Sequence, residues 1–197
     1  MTKRVVFCGV GALGSHAAVL SRNLPWDLAF VDFDRVESKN LLSQAFVKPS
    51  IGKNKADGLR LQLLNFHGRK TEAFGVRLGD NNVTELLAGA DLVVDTFDNA
   101  ASRVVLSRWA RAAAASRALV HAGLSGDGSF GLVRWDERFT ADEEDHAGQA
   151  TCETGEHLPL IALVAATLAR TIQDFVATGE RRDTLITLKA ATPALGG

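Results

Sequence analysis

The sequence predicts an α/β fold, with a mostly parallel sheet flanked by helices and an antiparallel part at its C-terminal end. Three observations carry this. The apolar run Val5, Val6, Phe7, Cys8 leads straight into glycines at 9, 11 and 14 and then into a helical pattern. Short apolar runs bounded by turn residues alternate with helical patterns through most of the chain, as in parallel sheets buried on both faces. Near the end, 128–135 and 184–188 read as strands of a changed, more alternating kind.

In order, the first strand is expected over 4–7 and the first helix over 13–22, with Ala17, Ala18 and Leu20 able to face the sheet. The second strand is 28–31, ending at Asp32. Residues 33–50 are polar and irregular, with one helical turn near 41–45. A helix opens at Ile51, Gly52 and Lys53 and runs to about 65. A third strand is expected at 71–77, a short helix at 83–87, and a strongly buried strand at 91–95. An alanine- and arginine-rich helix covers 100–115, and a strand covers 118–122. Residues 136–157 are acidic and lack periodicity, which reads as a loop. An apolar helix covers 158–176. The fold is Rossmann-like. The organisation is a single domain over 1–189 and a flexible tail over 190–197.

The bulk numbers narrow the function. A net charge of -1 offers no basic field for nucleic acid or an anionic membrane. No signal-like apolar region precedes the first strand, and the most hydrophobic stretch, 158–168, is short of a bilayer span. Two cysteines without a C-x-x-C leave no cysteine-built zinc site, so no zinc is expected. Cys8 reads as a core residue, and the setting as a reducing cytoplasm.

The glycines at 9, 11 and 14 fit G-x-G-x-x-G. The first allows a tight turn, the second lets backbone approach a phosphate, and the third lets helix pack on strand. The helix that follows offers unpaired N–H groups and a positive dipole end to an anion. Asp32 lies about twenty residues on, where an acid takes ribose hydroxyls. An NAD site would look the same so far. Asp34 follows two residues later and, with strand geometry, points the same way. Asn40, Gln44 and Lys55 follow, and then Asp98 and Asn99 after the buried strand. The carboxyl ends of strands one, two and four therefore converge on one crevice. A lysine beside phosphates and an acid able to hold magnesium suit phosphoryl or nucleotidyl transfer; hydride transfer needs neither.

Six segments occur in order: GVGALG (9–14), VDFDRV (31–36), NLLSQ (40–44), IGKNKA (51–56), LVVDTFDN (92–99) with Arg103, and TCETG (151–155) followed by LPLI (158–161). On these the chain resembles the ThiF/MoeB/HesA family, relatives of the ubiquitin-activating enzymes. The resemblance implies ATP and Mg2+ as cofactors. It implies adenylation of the C-terminal glycine of a ubiquitin-like (β-grasp) or sulfur-carrier protein, with thioester formation at Cys152 as a further step. Carried over, Gly11 and Ala12, in the turn with Gly9 and Gly14, meet the phosphates and Asp32 meets the ribose; Asp34 is among the nucleotide-binding residues. Asn40, Ser43, Gln44 and Lys55 line the polyphosphate. Asp98 binds magnesium with Asn99 beside it, and Arg103 lies nearby. The catalytic set is Lys55, Asp98 and Cys152. A homodimer is implied.

One departure stands out. The family places an arginine where this chain has Ser43. Lys39, Lys53 and Arg103 are the nearby residues that would replace its charge. Two rival readings stay open: a catalytically weak or inactive binding subunit on the same fold, and an NAD-dependent oxidoreductase. Cys152 reads either as an acyl acceptor or as a loop thiol. His121 reads as a core-edge histidine and His157 as a polar loop residue. The run Asp142 to Asp145 is either a solvated face or a dock for a basic tail. The terminal Gly196 and Gly197 read as part of the tail.

Overall fold

The computed structural model describes residues 2–112, 117–139 and 155–188. The element order is β1 (Arg4–Cys8), α1 (Ala12–Leu20), β2 (Asp27–Val31), α2 (Lys55–His67), β3 (Glu72–Phe74), α3 (Val83–Leu86), β4 (Leu92–Asp95), α4 (Ala100–Arg111), β5 (Leu119–Leu124), β6 (Phe130–Trp135), α5 (Leu158–Thr178) and β7 (Thr184–Thr187). Short 3-10 turns occupy Ser38–Leu42, Lys48–Ser50 and Asp136–Arg138.

Seven strands form one sheet in the order β3-β2-β1-β4-β5-β6-β7. The first five in that order pair in parallel, and β6 and β7 are antiparallel. The predicted class and its antiparallel ending are both present. The chain winds outward from β1 to β3 and then crosses to β4 on the other side of β1. That reversal leaves a crevice at the carboxyl ends of β1 and its neighbours.

Two apolar layers hold the sheet. On one face α1, α2 and α5 cover Val5, Phe7, Leu28, Phe30, Val94 and Val120. On the other, α3 and α4 cover Val6, Cys8, Ala29, Val31, Val93 and Leu119. Strand residues alternate between the layers because successive side chains leave a strand on opposite faces. Cys8 is a buried free thiol, as expected of a core residue.

Several boundaries differ from expectation. The second helix starts at Lys55, because Asn54 caps it by accepting the Asp57 N–H at 3.2 Å. Gly52, with φ at +83°, keeps 51–53 in a turn ahead of it. The irregular stretch turns at 38–42, held by a Glu37–Asn40 capping box. The third strand keeps only three residues and ends at Phe74, opposite Val31, the last residue of β2.

The apolar helix is 21 residues long, with a mean hydropathy of 1.5 over its most apolar window. It is therefore long and apolar enough by length and composition to cross a membrane, contrary to the sequence reading. Its buried stripe, including Leu160, Ile161, Val164, Leu168 and Ile172, packs into the core of this fold. Residues 140–154 and 189–197 lie outside the described residues. That places Cys152, the acidic run at 142–145 and the terminal Gly196 and Gly197 there too.

Candidate active site

The crevice starts at the end of β1. Gly9 turns the chain at φ +84°, and a Cβ there would sit 3.0 Å from Phe97 and from the Thr96 carbonyl carbon. Gly14 is tighter still. Its Cβ would stand 2.2 Å from the Gly9 carbonyl oxygen and 2.5 Å from Thr96 Oγ1. Thr96 Oγ1 donates to that same carbonyl at 2.6 Å, so β4 and α1 are clamped onto one turn. Gly11 is different, since a Cβ there meets nothing within 4 Å. It is the N-cap of α1, supplies no side-chain cap, and no acid occupies the first turn. The N–H groups of Ala12, Leu13 and Gly14 in the first turn have no acceptor within the helix, a candidate seat for an anion.

The segment after β2 forms one wall. Strand geometry, on which a shared direction for Asp32 and Asp34 rests, ends at Val31, and the two carboxylates differ in burial and in partners. Asp32 is buried; its oxygens accept the Val10 N–H at 2.8 Å and the Asp34 N–H at 2.9 Å. Burial raises its pKa, with the Val10 N–H, Lys55 and the Asp34 N–H opposing. Asp34 is half exposed and accepts from Lys55 Nζ at 3.1 Å.

Asn54 latches the helix carrying that lysine. Its amide donates to the carbonyls of Asp32 and Asp34, at 2.8 and 3.1 Å, and Lys55 N donates to the Asp34 carbonyl at 2.8 Å. The latch fixes the buried Lys55 at the helix start, beside the crevice.

Asn40 is buried and spends Oδ1 on the Glu37 N–H at 2.7 Å, leaving its amide N–H groups as donors. Ser43 Oγ and Gln44 Oε1 are buried without a partner. The Ser43 carbonyl accepts from His16 Nε2 at 3.1 Å. Burial lowers the His16 pKa, and the Ser43 carbonyl partly restores it.

The loop after β4 forms the other wall. Asp95 Oδ1 accepts the Phe97 N–H at 3.0 Å, and Asp98 next to it is exposed. Asn99 caps α4 by accepting the Ser102 N–H at 2.9 Å. Arg103 donates to the carbonyls of Phe97 at 2.7 Å and Ala122 at 3.1 Å, so its guanidinium braces the loop. Lys39 pairs with Glu37 at 3.7 Å, and Lys53 is exposed in the turn before α2. Among the described residues no three His, Cys, Asp or Glu side chains gather to cage a metal.

The sequence reading missed His16, Thr96 and Asn54. Asn54 had a signal, because an Asn ahead of Lys55, Ala56 and Asp57 is a helix N-cap pattern. His16 and Thr96 had none, since their roles arise from contacts with distant segments.

The chain is 38% identical over 112 residues to a sulfur carrier protein adenylyltransferase of Thermus thermophilus, covering 52% of this chain and 39% of that protein. It is 33% identical over 110 residues to a SAMP-activating enzyme E1 of Haloferax volcanii, covering 54% of this chain and 41% of that protein. Among solved structures it resembles PaaA, with a TM-score of 0.73 at 15% identity over 95% of this chain and 61% of that one. It also resembles E. coli MccB with ATP, with a TM-score of 0.70 at 17% identity over 95% of this chain and 64% of that one. These structures share the fold. The ThiF family profile matches residues 1–191, and the chain belongs to the ThiF family.

Proposed function

We propose that this chain is a nucleotidyltransferase that uses ATP and magnesium to adenylate the C-terminal glycine carboxylate of a ubiquitin-like or sulfur-carrier protein. One observation carries the reading. Lys55 is latched beside the crevice on a half-exposed carboxylate, next to an open helix N-terminus. The relatives support it by their names, one a sulfur carrier protein adenylyltransferase and one an E1 activating enzyme.

The chemistry fits those residues. The attacking carboxylate is already an anion, so no strong base is required. It forms a bond to the α-phosphorus, the α–β bridging oxygen bond breaks, and pyrophosphate leaves with that electron pair. The task is to relieve repulsion between the carboxylate and the triphosphate. The N–H groups of Gly11 and Ala12 hold phosphate oxygens. Lys55 exchanges Asp34 for the α-phosphate. The Asn40 amide donates to the polyphosphate beside Ser43 and Gln44. Asp34, backed by Asp32, accepts from the ribose hydroxyls. Asp98 would hold magnesium through its carboxylate. Magnesium, when bound, would supply charge neutralisation at the leaving group. Asn99 and Arg103 hold the loop that carries Asp98. On the resemblance alone, the working unit is a homodimer, and the Cys152 thiolate attacks the acyl adenylate to form a thioester with release of AMP; cysteine usage suggests a cytoplasmic setting.

The test is ATP–pyrophosphate exchange with small glycine-ended carriers encoded near this gene. Exchange that Asp98→Ala abolishes is expected. No exchange with any of them, despite ATP binding, would favour a second reading, a binding subunit that does not catalyse. The neutral Ser43, where the resemblance expects an arginine, is what favours that reading. Competition between ATP and NAD separates both from an oxidoreductase. A thiol-cleavable adduct lost in Cys152→Ser tests the thioester.

A further inference from the structure

One buried ionisable cluster lies outside the roles just described. His121 on β5 is 2% exposed. Its Nδ1 stands 2.7 Å from Asp95 Oδ2 and its Nε2 3.0 Å from Asp136 Oδ1, while the Phe139 ring stacks on it at 3.7 Å. A neutral imidazole has one N–H and one lone pair. Between two carboxylates, its lone pair would face an anion at hydrogen-bond distance. Only the protonated ring donates to both.

The surroundings agree. Arg103 Nε lies 3.7 Å from Asp95, and Arg111 Nε lies 2.7 Å from Asp136, both reaching in from α4. Ser107 Oγ donates to Asp136 at 2.6 Å. The Cys8 thiol on β1 has its pKa pushed up by burial and by Asp95, so it stays neutral. Three cations thus surround two carboxylates. Asp95 is also the root of the loop that carries Asp98, through the Phe97 N–H.

We propose that His121 is a positioning residue for Asp98: as a doubly donating imidazolium it holds Asp95, and through Asp95 the Phe97–Asp98 turn, in the placement that magnesium–nucleotide binding requires. Its consequence rests on the nucleotide reading above; its charge rests on the geometry alone. Burial opposes that charge, but Asp136 and Asp95 outweigh it, so the His121 pKa lies above its ordinary 6.5. Loss of the proton sets a lone pair against a carboxylate and releases the root of the loop.

The test uses the full chain. Side-chain 15N NMR from pH 6 to 9 reads the protons on His121, and calorimetry reads ATP affinity with and without magnesium. Both ring nitrogens are expected to carry protons at pH 7. In His121→Gln the magnesium-dependent gain in ATP affinity should fall about tenfold or more, the usual scale for a residue that orients a metal ligand, with magnesium-free affinity unchanged. The wild type should lose that gain as pH rises through the His121 titration, and the variant should show no such limb. Asp136→Asn, altered away from the crevice, should reproduce the loss if His121→Gln does not fold. A single protonated nitrogen at pH 7, or a folded variant with unchanged magnesium dependence, overturns the proposal. Absent pyrophosphate exchange beside a His121-dependent magnesium gain would defeat adenylation and leave this role standing.

Discussion

Two aspartates flank the carboxyl end of β1, and they are built differently. Asp32 follows β2 and Asp95 ends β4, the two neighbours of β1. Both are buried, and each accepts a backbone N–H from a turn, Val10 in one case and Phe97 in the other. Beyond that they part. Asp32 spends its second oxygen on another backbone N–H, and the nearby cation, Lys55, bonds to the half-exposed Asp34 instead. Asp95 bonds directly to a buried cation, His121. One flank keeps its charge exchangeable and the other locks it. An ion pair with one half-exposed partner is worth about 1 kcal/mol or less, so an arriving phosphate can displace it. Breaking a fully buried pair costs about 3–5 kcal/mol, so it serves geometry.

Substitutions on the two flanks should therefore give opposite signatures. The largest effect is expected on the locked side. Asp95→Ala leaves the buried His121 without one partner and should cost about 3–5 kcal/mol of folding stability, read by urea denaturation. A loss under about 1 kcal/mol would erase the distinction. On the exchangeable side, Lys55→Ala should change stability by about 1 kcal/mol or less. Its pyrophosphate exchange should nevertheless fall by roughly 10²–10³.

Two glycines sharpen the contrast within the turn itself. Gly14→Ala drives a methyl into the Gly9 carbonyl and should cost about 1–3 kcal/mol in thermal or urea melts. Gly11→Ala meets open space and should cost about 0.5 kcal/mol or less. It should fold and yet bind ATP more weakly in a titration. Equal stability losses at both positions would mean that the space beside Gly11 is not what sets it apart.

The smallest effect is the pH dependence. The His121 pKa is raised in the folded protein, so its contribution to stability is complete below its ordinary 6.5 and fades as pH rises through the higher folded value. Melting temperature should decline on the alkaline side in the wild type, and that slope should flatten in His121→Gln.

Much of the frame was legible in the chain. The β1 run, the three glycines and the burial of 92–95 depend on local pattern, and all are present in the fold. The convergence of β1, β2 and β4 followed from winding order. The helix boundary at 51–55 was misplaced because Lys53 and Lys55 suit a helix equally, and the Asn54 cap decides between them. A shared direction for Asp32 and Asp34 was conditional on a strand that lasts, and β2 stops at Val31. The length of α5 was underestimated as a potential span, although its apolar stripe was correctly read as helical. His121 was read as a satisfied core-edge residue. It is satisfied, but by two carboxylates 26 and 15 residues away in sequence.

The sequence by itself determined the winding of the sheet, the glycine turn and the kinds of side chain available at the crevice. Periodicity and φ freedom are properties of neighbouring residues, and neighbours are what a sequence displays. Only the tertiary structure decided which charges are exchangeable and which are locked. That depends on burial and on partners brought together by the fold: Lys55 with Asp34 across 21 residues, and His121 with Asp95 and Asp136 from separate elements. The strength of an ion pair depends on its distance from water, and the order of residues does not encode that distance.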